Sequence, residues 1–137
     1  VFDRPLYYNH EGEVISLDEW SALISLPEYK IVARDQVFVR DAHSQIDYEE
    51  GTARMRGVVS ISTVWLGLDH SWWGGPPIIF ETMIFGGAHD EAQWRYATHL
   101  EAIQGHADAV ALVRREAHLI NSPIEAENPA PEPPSDR

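Results

Sequence analysis

Two alternating apolar stretches separated by a short glycine- and proline-rich break constrain this chain most. Val58 to Leu68 places Val58, Ser60, Ser62, Val64, Leu66 and Leu68 on one parity and Val59, Ile61, Thr63 and Trp65 on the other. Pro77 to Phe85 places Ile78, Phe80, Thr82 and Ile84 on one parity and Ile79, Glu81, Met83 and Phe85 on the other. A period of two with β-branched and aromatic residues predicts strands. The break between them, Asp69-His70-Ser71-Trp72-Trp73-Gly74-Gly75-Pro76, predicts a loop joining an antiparallel pair. Large apolar groups on both parities of the first stretch predict a central strand covered on both sides.

The flanking segments fill out an α+β domain. Pro5 to Tyr8 reads as a short extended piece and Asn9 to Gly12 as a turn. Ser16-Leu17-Asp18-Glu19 is a capping box, and Ile15 and Trp20 are spaced as a hydrophobic staple. Leu17, Trp20, Leu23 and Ile24 give a short helical stripe that Pro27 ends. Tyr29 to Val39 alternates in part and predicts a strand; Asp41 to Thr52 is polar and predicts a loop. Trp94-Arg95-Tyr96 predicts a short edge strand.

A second capping box, Thr98-His99-Leu100-Glu101, opens a long helix to about Ala117, with Leu100, Ile103, Ala107, Val110 and Ala111 as its expected buried stripe. Gly105 costs about 1 kcal/mol against Ala inside a helix; it either permits a close approach to the sheet or is simply tolerated. The expected fold is therefore a three- or four-stranded antiparallel sheet packed by a long C-terminal helix, with a short N-terminal helix. Residues 1–120 form that domain, and residues 121–137, with five prolines and a net charge of -3, form a flexible acidic Pro-rich tail.

Composition narrows the function classes. Ten basic residues against 22 acidic ones give a net charge of -12, which repels phosphate backbones and anionic membranes, so neither direct nucleic-acid binding nor membrane adhesion is expected. Solubility explains such a surface; a mimic of DNA that occupies a basic partner is the sharper alternative. No apolar run approaches the roughly 20 residues that span a bilayer. Val1 to Pro5 has no basic and apolar leader pattern, so no signal peptide is expected. The absence of cysteine removes disulfides, thiolate metal sites and thiol nucleophiles, and fits a reducing cytoplasm.

Few residues carry candidate chemistry. Asp69 beside His70 at a strand end could orient a general base, or be a turn-capping Asp beside a solvated His; no G-x-S-x-G pattern accompanies the pair. Glu81 interrupts an apolar run, so it must be exposed, paired with Arg34, Arg56 or Arg95, or functional. These three, Asp69, His70 and Glu81, are the catalytic candidates. His99 and His106, seven apart on one helix, lie about 10 Å apart along its axis, which is too far for a tight metal pair; they are weak metal candidates only. Trp72 and Trp73 either fold back over the sheet or form a protein-binding surface. Gly74-Gly75 lacks the Lys-Ser/Thr of a phosphate loop and leads into a strand. No cofactor is implied.

The run Ser62 to His70, then Pro76 to Phe85, then Arg95-Tyr96-Ala97-Thr98 with Glu101-Ala102 and Gly105-His106 resembles small uncharacterised proteins of actinobacterial phages and prophages. Leu6-Tyr7-Tyr8, Gly12, Ile15-Ser16 and Glu19-Trp20 are similar to their N-terminal part. The likeness covers most of residues 5–114 and leaves out 40–55 and the tail. It implies a phage origin, expression in the host cytoplasm and an accessory role during infection or lysogeny; it transfers no catalytic residue. The expected function is non-enzymatic binding of a host or phage protein. The alternatives are a small hydrolase or metal-dependent enzyme using Glu81 with His70 or His106, and a minor virion component.

Overall fold

The two apolar stretches pair as strands, and the rest of the chain is arranged by that pair. A computed structural model describes residues 6–39, 46–49, 52–55, 57–71 and 74–121. Strands β1 (Tyr7–Tyr8) and β2 (Val14–Ile15) form a small hairpin and lead into helix α1 (Leu17–Ile24) and a helical turn α2 (Pro27–Lys30). Then come β3 (Ile31–Phe38), β4 (Ile46–Glu49), β5 (Thr52–Met55), β6 (Val58–Trp65), β7 (Phe80–Phe85), β8 (Gln93–Tyr96) and the long helix α3 (His99–Asn121). The main sheet has the order β3-β6-β7-β8, antiparallel throughout, with Thr63 opposite Thr82 and Val64 opposite Glu81. This is the expected α+β fold, an antiparallel sheet of three or four strands packed by a long C-terminal helix, and the sheet has four.

Burial along β6 alternates strictly. Val59, Ile61, Thr63 and Trp65 are buried, whereas Val58, Ser60, Ser62 and Val64 are only half-buried. The strand is central, but α3 covers one face of it, not both. Two serines on the second parity leave too little apolar surface to require a cover there. We call the face under α3 the inner face and its reverse the outer face.

The inner core falls into two parts. One joins Val37, Val59, Ile61 and Ile84 of the sheet to Ala109, Val110, Val113 and Ala117 of α3. The other centres on Trp65, Ile79, Phe80 and Ala102, against Tyr8, Ile15, Trp20, Leu23, Tyr29 and Tyr96 around it. Two indoles tie the N-terminal elements to the end of β6: Trp20 Nε1–H donates to the Leu66 carbonyl (3.0 Å) and Trp65 Nε1–H to that of Tyr8 (2.9 Å). Gly67, at φ 70°, lies under both rings, and a Cβ there would collide with each.

Four local expectations change. The segment predicted as a loop from Asp41 to Thr52 contains β4, which pairs with β5 at its end, Ile46 opposite Met55. Their alternation is carried by Ile46, Tyr48, Ala53 and Met55, too few large apolar residues to stand out. α1 ends at Ile24, before Pro27, which instead occupies the first turn of α2, where its missing N–H costs nothing. α3 continues to Asn121, past the expected stop near Ala117. It also buries Ala102, His106, Ala109, Val110, Val113 and Ala117, while Leu100 is 77% and Ile103 46% exposed, with Ala107 and Ala111 exposed as well. The helix is therefore rotated by roughly a third of a turn from the stripe its largest residues predict. Small side chains let it sit close on the sheet, and burying His106 fixes the rotation.

Both capping boxes are formed. Ser16 Oγ accepts from the Glu19 N–H, and Thr98 Oγ1 from that of Glu101, each at 3.1 Å. Gly105 faces the Tyr96 ring so closely that a Cβ would overlap it. Replacing Gly105→Ala should therefore destabilise by about 1–3 kcal/mol through overpacking, against a helix-propensity gain of about 1 kcal/mol. Urea denaturation of the variant measures this. Stability equal to or above wild type would mean that the Tyr96 ring yields freely.

Candidate functional site

The buried polar groups of the inner face form one chain of hydrogen bonds between the two halves of the core. On α3, His106 is 5% exposed. Its Nε2 lies 2.7 Å from Asp35 Oδ2 on β3, and its Nδ1 lies 2.7 Å from Thr63 Oγ1 on β6. Thr63 Oγ1 in turn lies 2.5 Å from Thr82 Oγ1 on β7, and both threonines have no exposed surface. The order along the chain is acid, imidazole, hydroxyl, hydroxyl.

The chemistry of the partners sets the protons. An ionised carboxylate only accepts, so Nε2 carries the hydrogen directed at Asp35. With the imidazole neutral, Nδ1 accepts from the Thr63 hydroxyl, and Thr63 accepts from Thr82. With the imidazole protonated, Nδ1–H donates to Thr63 and the Thr63 hydroxyl turns toward Thr82. The first arrangement gives each hydroxyl hydrogen of the chain an acceptor, which is what burial demands. An acid, an imidazole and a hydroxyl in series are also the parts of a nucleophilic triad. Here the hydroxyl is sealed under α3, so no substrate atom can approach it, and the arrangement serves to hold three strands and the helix together.

The residues singled out by sequence are dispersed. Asp69 caps its own turn: Oδ1 accepts from the Ser71 and Ile78 N–H groups, both at 2.8 Å, and Oδ2 from the Ser71 hydroxyl at 2.9 Å. Burial acts to raise its pKa, but these three hydrogen bonds together hold the carboxyl below its ordinary range. His70 donates its backbone N–H to the Ile78 carbonyl, and no hydrogen bond joins its ring to Asp69 or Glu81. Glu81 lies on the outer face, where it accepts from Arg95 Nε (3.0 Å) and the Gln93 amide on the neighbouring β8. Of the three arginines named from sequence, Arg95 is thus its partner. His106 is on the other side of the sheet, so the proposed pairing of Glu81 with His106 in one pocket is not formed.

His99 and His106 serve separate clusters, and no group of three potential metal ligands converges among the described residues. His99 stacks on His10 with ring centroids 5.0 Å apart, and His10 stacks on Tyr29 at 3.8 Å, with Trp65 and Phe80 alongside. His10 Nε2 lies 2.8 Å from the Tyr29 carbonyl, and the Tyr29 hydroxyl accepts from the His10 N–H, also at 2.8 Å. Burial lowers the His10 pKa and raises that of Tyr29. Trp72 and Trp73, the expected protein-binding residues, lie outside the described residues, as does the tail from Ser122.

The outer face combines apolar and basic groups. Val58, Val64 and Met83 are half-buried there and Phe85 is 41% exposed. Arg34 stands on β3 in the row of Ser62, Met83 and Gln93; Arg95 stands on β8 in the row of Glu81 and Val64. Neither α3 nor the N-terminal helices lies on this side. Sequence reasoning missed Asp35, Thr63 and Thr82. The available signal was two threonines on the parity shared with Ile61, Trp65, Phe80 and Ile84, which has to be answered by a polar group from the covering helix.

Compared with protein-family models, curated proteins and solved structures, the chain matches none.

Two outcomes follow from these contacts. Thr63→Val leaves His106 Nδ1 buried without a partner and should cost about 1–3 kcal/mol in urea denaturation. Asp35→Asn, at a side chain 45% exposed where water can replace the contact, should cost less than about 1 kcal/mol; equal losses would contradict the sealed relay. The lowered His10 pKa means that the folded state resists a proton the unfolded chain accepts at about 6.5. Its contribution is therefore complete above that pH and is lost as the pH falls through the folded value. Melting temperatures measured from about pH 8 to about pH 5 should decline more steeply for wild type than for His10→Asn.

Proposed function

We propose that this chain is a non-enzymatic phage accessory protein that binds a host or phage protein in the host cytoplasm, with the outer face of the four-stranded sheet as its contact surface. The observation that carries the reading is the pairing of a sealed inner face with an outer one that mixes apolar side chains and arginine. All the polar chemistry of the inner face is consumed in holding the fold together. The outer face instead presents Val58, Val64, Met83 and Phe85 beside arginine. Aromatic and methionine side chains with arginine are the groups enriched in protein contact surfaces. The resemblance to phage proteins supports the setting, and the double tryptophan supports a second contact region next to the β6–β7 pair.

A hydrolase built on Glu81 has less support. Its carboxylate is held by Arg95 and Gln93, and its side chain is 13% exposed. A general acid or base also needs a partner within hydrogen-bond reach of one reacting atom, and neither His70 nor His106 stands there.

The test is quantitative recovery of a stoichiometric partner from phage-infected host lysate by wild type, Phe85→Glu, Leu100→Glu and the Trp72→Ala/Trp73→Ala double variant, each checked for folding by circular dichroism. Wild type and Leu100→Glu should recover it equally, Phe85→Glu should lose it, and the tryptophan variant should weaken it. Equal recovery by all four would remove both proposed surfaces.

A further inference from the structure

The charge of the outer face differs in sign from that of the molecule around it. Among the described residues, its only ionised side chains are Arg34, Glu81 and Arg95, two cations against one anion. The whole chain carries -12, and the N-terminal elements alone present Glu11, Glu13, Asp18, Glu19 and Glu28 against Lys30. The Glu81 carboxylate is already answered by Arg95 Nε and the Gln93 amide. Arg34 is exposed and makes no ion pair among the described residues, and Arg95 uses only Nε toward Glu81, leaving its terminal nitrogens for another acceptor.

We infer that the outer face docks an acidic amphipathic segment of a partner protein, whose apolar side chains cover Val58, Val64, Met83 and Phe85 and whose carboxylates pair with Arg34 and Arg95. The inference rests on the binding reading given above and adds the chemistry of the partner. Arg34 stands on one edge strand and Arg95 on the other, three strand spacings across and two residues along, about 16 Å apart. Met83 and Val64 stand in the rows of Arg34 and Arg95, and Phe85 and Val58 lie one and two rows further on, beyond Arg34. A planar guanidinium binds a carboxylate through two parallel hydrogen bonds, so two such groups at opposite edges fix both position and orientation. A second copy of this chain fits less well as the occupant of this face. Two like faces would oppose arginine to arginine, and the remainder of each molecule is strongly acidic.

The long-range field works against an acidic ligand, which makes the test discriminating. The probes are two synthetic amphipathic helical peptides of about 18 residues with identical leucine faces, one carrying glutamate and the other lysine on the polar side. Each is titrated into ¹⁵N-labelled full-length protein at physiological ionic strength, where the field of distant charges is screened beyond about 8 Å. The glutamate peptide should bind more tightly, with shifts confined to the outer-face residues of β3, β6, β7 and β8. Arg34→Glu should weaken it about tenfold, and Phe85→Glu should abolish it.

If the lysine peptide binds this face as tightly or more tightly, the acidic partner is refuted while the contact surface stands. If neither peptide perturbs the face, or both perturb another region, the inference and the binding reading both fall. Concentration-dependent dimerisation that Phe85→Glu abolishes would replace the acidic segment with a second copy.

Discussion

An imidazole buried among aliphatic side chains must have both nitrogens answered, and this requirement determines how α3 sits on the sheet. His106 reaches Asp35 with one nitrogen and Thr63 with the other. Asp35 is on an edge strand and Thr63 on an interior one, so satisfying both fixes the helix laterally across the strands as well as along them. Thr82 extends the chain to a third strand. A hydrophobic contact tolerates sliding; a pair of directed bonds at 2.7 Å does not. The relay lies between the two apolar clusters and keeps them in one register, with Val113 and Ala117 over one end of the sheet and Ala102 over the other.

That docking separates the two faces of the sheet by role. The inner face spends its polar groups on the relay and its apolar groups on α3 and the N-terminal elements. The outer face keeps a shallow apolar surface crossed by Glu81, Arg95 and Arg34. The same strands thus supply a side closed by α3 and a side that α3 leaves uncovered, because successive residues point in opposite directions. A one-residue slip of β6 against β7 would exchange the two faces of β6.

Much of this was legible in the sequence and some was not, for identifiable reasons. The β6–β7 pair, the edge strand at Trp94 to Tyr96 and both capping boxes follow from local patterns whose physics is local. The turn role of Asp69 and the pairing of Glu81 with an arginine were among the alternatives a reader could write down, because an acid at a strand end or inside an apolar run has few stable environments. The size of the apolar residues of α3 does not predict its buried face. Leu100 and Ile103 are its largest early apolar residues, yet the sheet takes Ala102, His106 and Ala109. That choice depends on Asp35, which is 71 residues away in sequence, and no periodicity in the helix encodes it. β4 and β5 do not stand out in the sequence, because their alternation is carried by a few moderately apolar residues in a polar stretch.

The most direct measurement is a long-range ¹H–¹⁵N correlation of the His106 ring, combined with the exchange rate of the Thr63 hydroxyl proton. Docking through the relay predicts a proton resident on Nε2 and a Thr63 hydroxyl resonance that exchanges slowly with solvent. A ring that averages between tautomers, beside a hydroxyl too fast to observe, would contradict the placement of α3 and with it the division of the sheet into a closed and an open face.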